Sequence, residues 1–389
     1  MQSARMRQIS PFRVMELMER AEQLEALGHR VVHFEVGEPD FATAAPIVEA
    51  GRRALAEGRT KYTHALGIAP LREAIARDCR ERLGVEIAPA RIAVTSGASG
   101  GLLLLSALLL ESGRGLLIGD PGYPCNEAFV HVVGGHPQRI LLRPEAGYVP
   151  SLGDLVMAWQ RDTRGILLAS PANPTGAVID NARLEAIAGF ARERDAFFIL
   201  DEIYQGLTYG DRPGARTGLA VDDGLFVLNS FSKYFGMTGW RLGWIVVPEP
   251  YMGAVERLAQ NLFISPSSVA QHAALAAFSP EAMRIHEQRR QRFDARRKQL
   301  LAGLEGLGFE VPACPQGAFY LYVDVSRAGM DSRDFCWRLI DEFQVAVTPG
   351  VDFGLHSAER FVRFAYTTDD DSIALGIERI GRALAAWGA

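Results

Sequence analysis

Four short runs in this chain are apolar at every position: residues 115–118, 165–169, 196–200 and 224–228. A fifth, residues 91–95, is nearly so, and helical stretches separate them. A strand with one wet face alternates apolar and polar residues, whereas a strand without alternation is buried on both faces. Such strands, spaced by helices, predict an α/β fold with a mostly parallel central sheet between helical layers. In that architecture the loops at the carboxyl ends of the strands carry the chemistry. The greasiest run, residues 100–110, is too short to span a bilayer and reads as a buried helix.

At 389 residues the chain is too long for one simple core. Val14, Leu17, Met18, Ala21 and Leu24 recur at helical spacing and predict an amphipathic first helix ending near Gly28. Past Phe278 the pattern changes to a long charged helix and then shorter strands, such as residues 318–323. A final helix carries Ile373, Ile377, Ile380, Leu384 and Trp387 on one face. It is entered through Asp369 to Asp371, whose charges suit a helix start. The expected division is a large domain over residues 36–279 and a smaller α+β domain built from residues 1–35 and 280–389. There is no internal repeat or low-complexity tract.

A net charge of -5 gives no reason to expect a nucleic-acid or membrane surface. The arginine-rich run 288–298 is interleaved with acids and reads as the solvated face of a helix. Cys79, Cys125, Cys314 and Cys336 show neither CxxC pairing nor metal spacing, and are expected as reduced, mostly buried thiols. No metal is expected from the eight histidines, of which His29, His33 and His64 read as structural or exposed. The charged amino-terminal stretch has no apolar core of a signal peptide, so a cytoplasmic protein is expected.

Only three of the 41 basic residues are lysine, and one lies in Ser230-Phe231-Ser232-Lys233-Tyr234-Phe235-Gly236-Met237-Thr238-Gly239-Trp240-Arg241. Arginine cannot replace lysine in forming an imine with a carbonyl, which needs an amine able to lose its proton. Arg241, eight residues on, has the rigid fork that suits a phosphate. An imine-forming lysine beside a phosphate anchor suggests pyridoxal phosphate. Other strand ends supply the remaining needs of that cofactor. Asp201 follows the apolar run 197–200 directly and could keep the ring nitrogen protonated. Asn173, in Asn173-Pro174-Thr175-Gly176, and Tyr204 could hydrogen-bond the ring's phenolic oxygen. Gly97, Ala98 and Ser99 open a helix after a strand, where backbone amides bind phosphate. Ser99, Ser230 and Ser232 could add hydroxyl donors, and Tyr123 could stack on the ring face.

Taken in order, these residues resemble the class I/II aminotransferases of the fold-type-I pyridoxal-phosphate superfamily. The resemblance runs from Val36-Gly37-Glu38-Pro39-Asp40-Phe41 through Lys61-Tyr62-Thr63, Asn173 to Gly176 and Asp201-Glu202-Ile203-Tyr204. It continues through Ser230 to Arg241 and ends at Phe361-Val362-Arg363-Phe364. It implies an amino-group transfer between an L-amino acid and a 2-oxo acid, with ping-pong kinetics. Lys233 would form the internal aldimine and move the proton, with Asp201 and Tyr204 assisting. Arg363 would clamp the substrate carboxylate, helped by Gly37 and Asn173. Tyr62 would reach the cofactor phosphate of a neighbouring subunit, which implies a homodimer.

In aspartate-using members a lysine commonly stands where this chain has Ser99. Its loss points to a neutral or aromatic donor. A β-eliminating lyase on the same fold is the alternative within the superfamily. A different class of reading is a serine hydrolase, because Gly97-Ala98-Ser99-Gly100-Gly101 fits G-x-S-x-G, with His272, His286 or His356 as base. That reading leaves Lys233, Arg241, Tyr204 and Asn173 unexplained. A regulatory module is disfavoured because the first helix begins within about fourteen residues, without room for a DNA-binding segment.

Overall fold

A computed structural model describes residues 2–11, 13–210 and 217–388 of the chain. The first helix, α1 (Val14–Ala26), buries Val14, Leu17, Ala21 and Leu24 of the periodic set read from the sequence, and Met18 is half-buried. Its first amide, Val14 N–H, donates to Asp352 Oδ2 at 3.0 Å, satisfying one of the donors a helix start leaves open. A short strand, β1 (Val32–His33), follows.

The central sheet comes next. Its strands are β2 (Ile92–Thr95), β3 (Gly115–Asp120), β4 (His136–Leu141), β5 (Thr163–Ala169), β6 (Phe197–Asp201), β7 (Phe226–Ser230) and β8 (Gly243–Val246). They lie in the order β2-β8-β7-β6-β5-β3-β4, and only β8 runs against the others. The carboxyl ends of the six co-directional strands therefore open on one edge. Both faces are buried, as the missing alternation demanded. Ile166, Leu168, Phe198, Leu200 and Val227 belong to one hydrophobic cluster; Leu167, Ile199, Phe226 and Leu228 belong to a second. The second packs against Leu102 and Leu105 of α2 (Gly97–Leu109), the buried apolar helix.

The rest of the chain forms α3 (Pro280–Gly306), β9 (Tyr320–Asp324), α4 (Ser332–Phe343), β10 (Val345–Ala346), β11 (Thr348–Pro349), β12 (Phe361–Ala365) and α5 (Asp370–Trp387). Strands β11, β12 and β9 make an antiparallel sheet, and β1 pairs in parallel with β10, Val32 opposite Val345. Asp369 caps α5 by accepting from Ser372 N–H at 2.8 Å.

Two expectations need correction. The arginine-rich run on α3 is not wholly a solvated face. Arg292 and Lys298 are exposed, but Arg296 is 3% exposed and Arg297 is buried. Arg296 grips both oxygens of Asp40 at 2.8 Å and reaches Asp370 at 3.3 Å, so long side chains on one helix serve as interior ties. The cysteines are free, yet only Cys79 and Cys336 are buried; Cys314 is exposed. Among the described residues no helix is long and apolar enough to cross a membrane, and no cluster of metal-ligating side chains occurs.

Candidate active site

The polar residues at the strand ends converge on one cavity of about 440 Å³. Ala98 and Ser99 enter it from the start of α2, Tyr123 from beyond β3, and Asn173 from the turn after β5. Asp201 ends β6, Tyr204 sits in the turn beyond it, and Ser230 ends β7, with Ser232 and Lys233 next in the chain. Arg241 and Gly37 line the same space, and Arg363 reaches it from β12. Tyr62 does not. It stands 81% exposed on the surface.

Lys233 Nζ donates to the carbonyl oxygen of Gly37 at 2.6 Å. The side chain opens partly onto the cavity, but its amine lies deep in protein. That burial, joined by the Arg363 and Arg241 charges, pushes the amine down to about 8; Glu38 and Asp201 pull the other way. Asp201 is 3% exposed, and burial pushes its carboxyl up to about 7, against the Ile203 N–H it accepts at 3.1 Å and the Lys233 charge. Glu202 is lifted to about 7 in the same way, although it accepts from Gly218 N–H at 2.6 Å.

Arg363 is 4% exposed and held on every side. Nη1 donates to Asn173 Oδ1 at 3.1 Å, and Nη2 to the Glu35 carbonyl at 2.6 Å and Thr348 Oγ1 at 3.3 Å. The guanidinium lies 4.4 Å from the ring centre of Tyr320 and 4.7 Å from that of Phe353. Its Nε is buried without a partner. Arg360, by contrast, is exposed and pairs with Asp324.

These residues fit pyridoxal phosphate. Gly97 has φ +71°, and a Cβ there would stand 2.7 Å from Arg241 Nη2. Glycine thus lets the guanidinium close over the start of α2, where the helix dipole and open amides favour a dianion. The Ser230 and Ser232 hydroxyls are 2.9 Å apart beside it. At the other end, a buried carboxyl raised by desolvation suits a cationic ring nitrogen. Between them stand the buried amine and Tyr204, whose hydroxyl meets that of Tyr320 at 2.8 Å.

Several lining residues escaped the sequence. Tyr320 and Glu35, with Thr348 behind Arg363, carry no motif of their own; Glu38 stood in a motif without a role, Val14 and Met18 of α1 read only as a core face, and Met15 was not singled out. Tyr320 sits in a strand that was legible, but nothing in it showed that its ring would carry Arg363. Among the described residues Ser99 has no hydrogen bond to a histidine, neither His272 nor His356 lines its cavity, and His286 is fully buried against Tyr234 and Phe235. The hydrolase reading has no base.

Comparison with known proteins agrees with this geometry. The sequence profile described as "Aminotransferase class I and II" matches residues 29–380. A (5-formylfuran-3-yl)methyl phosphate transaminase of Methanocaldococcus jannaschii is 36% identical, over 98% of each chain. A valine–pyruvate aminotransferase of Mycobacterium tuberculosis is 35% identical, over 96% of each. A crystal structure of an aminotransferase from Mycobacterium tuberculosis superposes with a TM-score of 0.96 at 35% identity, covering 99% of each chain.

Proposed function

This chain belongs to the class I and II aminotransferase family, and on that premise we propose which of its residues carry the reaction and which donor it takes. It is a pyridoxal-phosphate enzyme that moves an amino group between an amino acid and a 2-oxo acid. The cofactor, when bound, supplies a protonated ring that takes up the electrons of the bond broken at the substrate α-carbon.

Gly97, Ala98, Ser99, Ser230, Ser232 and Arg241 would hold the phosphate, and Tyr123 would cover the ring. Asp201 would pair with the ring nitrogen. Tyr204 and the Nδ2 amide of Asn173 donate to the phenolic oxygen, Asn173 Oδ1 being engaged by Arg363. Arg363 clamps the substrate carboxylate through its fork, with Gly37 and Asn173 beside it. Lys233, its amine lowered to about 8, accepts the α-proton near neutral pH and returns it on the far side of the transfer. Tyr62, exposed on one subunit, completes the phosphate site of its neighbour in a homodimer. Four free cysteines suit a reducing compartment, and the cytoplasm is the proposed location.

The donor is a neutral amino acid. The observation that carries this is the cation inventory of the cavity: among its described lining residues only Lys233, Arg241 and Arg363 are basic, and each is already engaged. The rest of the lining includes Ser99, Leu102, Val14, Met15 and Met18. A relative named for valine and pyruvate is in keeping with it. The test is the visible spectrum of the purified protein with amino acids added one at a time. Bleaching by a neutral donor, reversed by a 2-oxo acid, supports the reading. Release of pyruvate and ammonia would mean a lyase, and fastest bleaching by aspartate or glutamate would overturn the neutral donor.

A further inference from the structure

The cavity wall carries a carboxylate that transfer of the amino group leaves idle. Glu35, just beyond β1, is 1% exposed and lines the cavity together with Ser99 and Arg363. Its Oε1 accepts from His33 Nδ1 at 2.7 Å, while its Oε2 is buried with no hydrogen-bond partner among the described residues. An unpaired carboxylate oxygen away from water is costly, so its retention calls for a reason. His33 Nε2 lies 3.2 Å from Glu25 Oε1 on α1, the helix whose Val14, Met15 and Met18 form the apolar wall. The two carboxylates hold the His33 imidazole up at about 9, and His33 is braced between Glu25 and Glu35.

Position decides what that charge does. The Glu35 carbonyl oxygen receives Arg363 Nη2, so this one residue orients the carboxylate clamp and also brings an acidic side chain to the lining of the same cavity. Lys233 and Arg241 are committed elsewhere, and Glu38 is bonded to the Thr238 hydroxyl. A substrate with a second carboxylate would bring a like charge into a low-dielectric cavity with no free cation among its described lining residues to meet it.

We infer that Glu35 is a specificity-determining residue that rejects a second carboxylate, so that acceptor as well as donor carries an uncharged side chain. The inference rests on the neutral-donor reading and extends it: glutamate and 2-oxoglutarate are disfavoured as a pair, and short or branched monocarboxylic 2-oxo acids are preferred. Rejection of this kind acts through repulsion built against the wrong ligand rather than through contacts to the right one.

The experiment measures binding, independent of turnover. Calorimetry on the cofactor-loaded protein compares two unreactive acids, isovalerate and glutarate. The wild type should bind isovalerate more tightly by about tenfold or more, and Glu35→Gln should shrink that ratio by about tenfold, the scale of removing one nearby like charge. His33→Gln, which removes the offsetting imidazolium, should widen it. If Glu35→Gln weakens both acids in parallel and leaves the ratio fixed, Glu35 is only a structural tie and the inference is overturned. A ratio that narrows in His33→Gln overturns it too. A wild type that prefers glutarate defeats the neutral-donor reading along with it. A wild type that prefers isovalerate, with Glu35→Gln unchanged, defeats the Glu35 assignment alone.

Discussion

The amine of Lys233 donates a 2.6 Å hydrogen bond to the carbonyl oxygen of Gly37, joining the end of the central sheet to the loop that follows β1. The group proposed to move a proton is thereby anchored on the segment proposed to meet the substrate carboxylate. Replacing Lys233 by Ala should lower turnover by at least about a thousandfold, the upper range of a lost general base, with the thermal unfolding curve little changed. Lys233→Arg should not rescue it, because a guanidinium keeps its proton. Single-turnover kinetics with the best donor would show this, and substantial residual activity would remove Lys233 from the chemistry.

Asp201 offers a test by pH. Its carboxyl keeps its proton up to about 7 in the folded, cofactor-free protein, against 3.8 ordinarily. The folded state thus binds more protons between these values, and stability falls as pH rises through the window. Asp201→Asn removes the penalty. It should stabilise the cofactor-free protein by about 4 kcal/mol at most above about pH 7, with most of that gain gone by about pH 4.5. Urea unfolding at the two pH values measures it. Added pyridoxal phosphate should reverse the order, stabilising the wild type more than the variant. A gain independent of pH would refute the assignment.

Arg363 is clasped by Asn173, Glu35 and Thr348 and stacked between Tyr320 and Phe353. Arg363→Lys keeps the charge and loses the fork. A fall of about a hundredfold in kcat/KM is expected, carried mainly by KM. An unchanged KM for both substrates would mean that another group holds the carboxylate.

Arg296 ties Asp40 to Asp370 with only 3% of its surface exposed. Arg296→Ala leaves Asp40 without its partner, while Asp370 keeps Arg292, and should cost about 1–3 kcal/mol in urea unfolding. A cost below about 1 kcal/mol would place the pair among weakly contributing surface bridges.

Tyr62 is the residue to test by mixing. If it serves the neighbouring subunit, inactive Lys233→Ala and weakened Tyr62→Ala chains should complement when unfolded and refolded together. Half of the dimers would be hybrids with one intact site each, giving about a quarter of wild-type activity. No recovery would return Tyr62 to its own subunit or to the surface.

How far the sequence could be read depended on the kind of signal. The unbroken apolar runs announced strands wet on neither face, and the alternate residues do divide between two clusters, Leu167 and Ile199 on one side, Ile166 and Phe198 on the other. Lys233, Asp201 and Asn173 were legible because each follows such a run, and the strand direction gathers run ends on one edge. Tyr320, Thr348 and Glu35 were not, because they enter from the antiparallel sheet and the β1 segment, whose approach is set by packing between distant parts of the chain. Arg296 misled for a related reason: an arginine amid acids looks solvated until the helix beneath it is known to be covered.

The pairing of Val32–His33 with Val345–Ala346 bears on how the enzyme is made. During synthesis the central sheet can be complete once Val246 has left the ribosome, whereas β1 must wait for a partner that emerges about a hundred residues later. Glu35 and Gly37 lie just past β1, and Arg363 comes later still. The nascent chain would then gain its cofactor cradle before its substrate clamp, and its amino-terminal helix would spend that interval without the surface it finally covers.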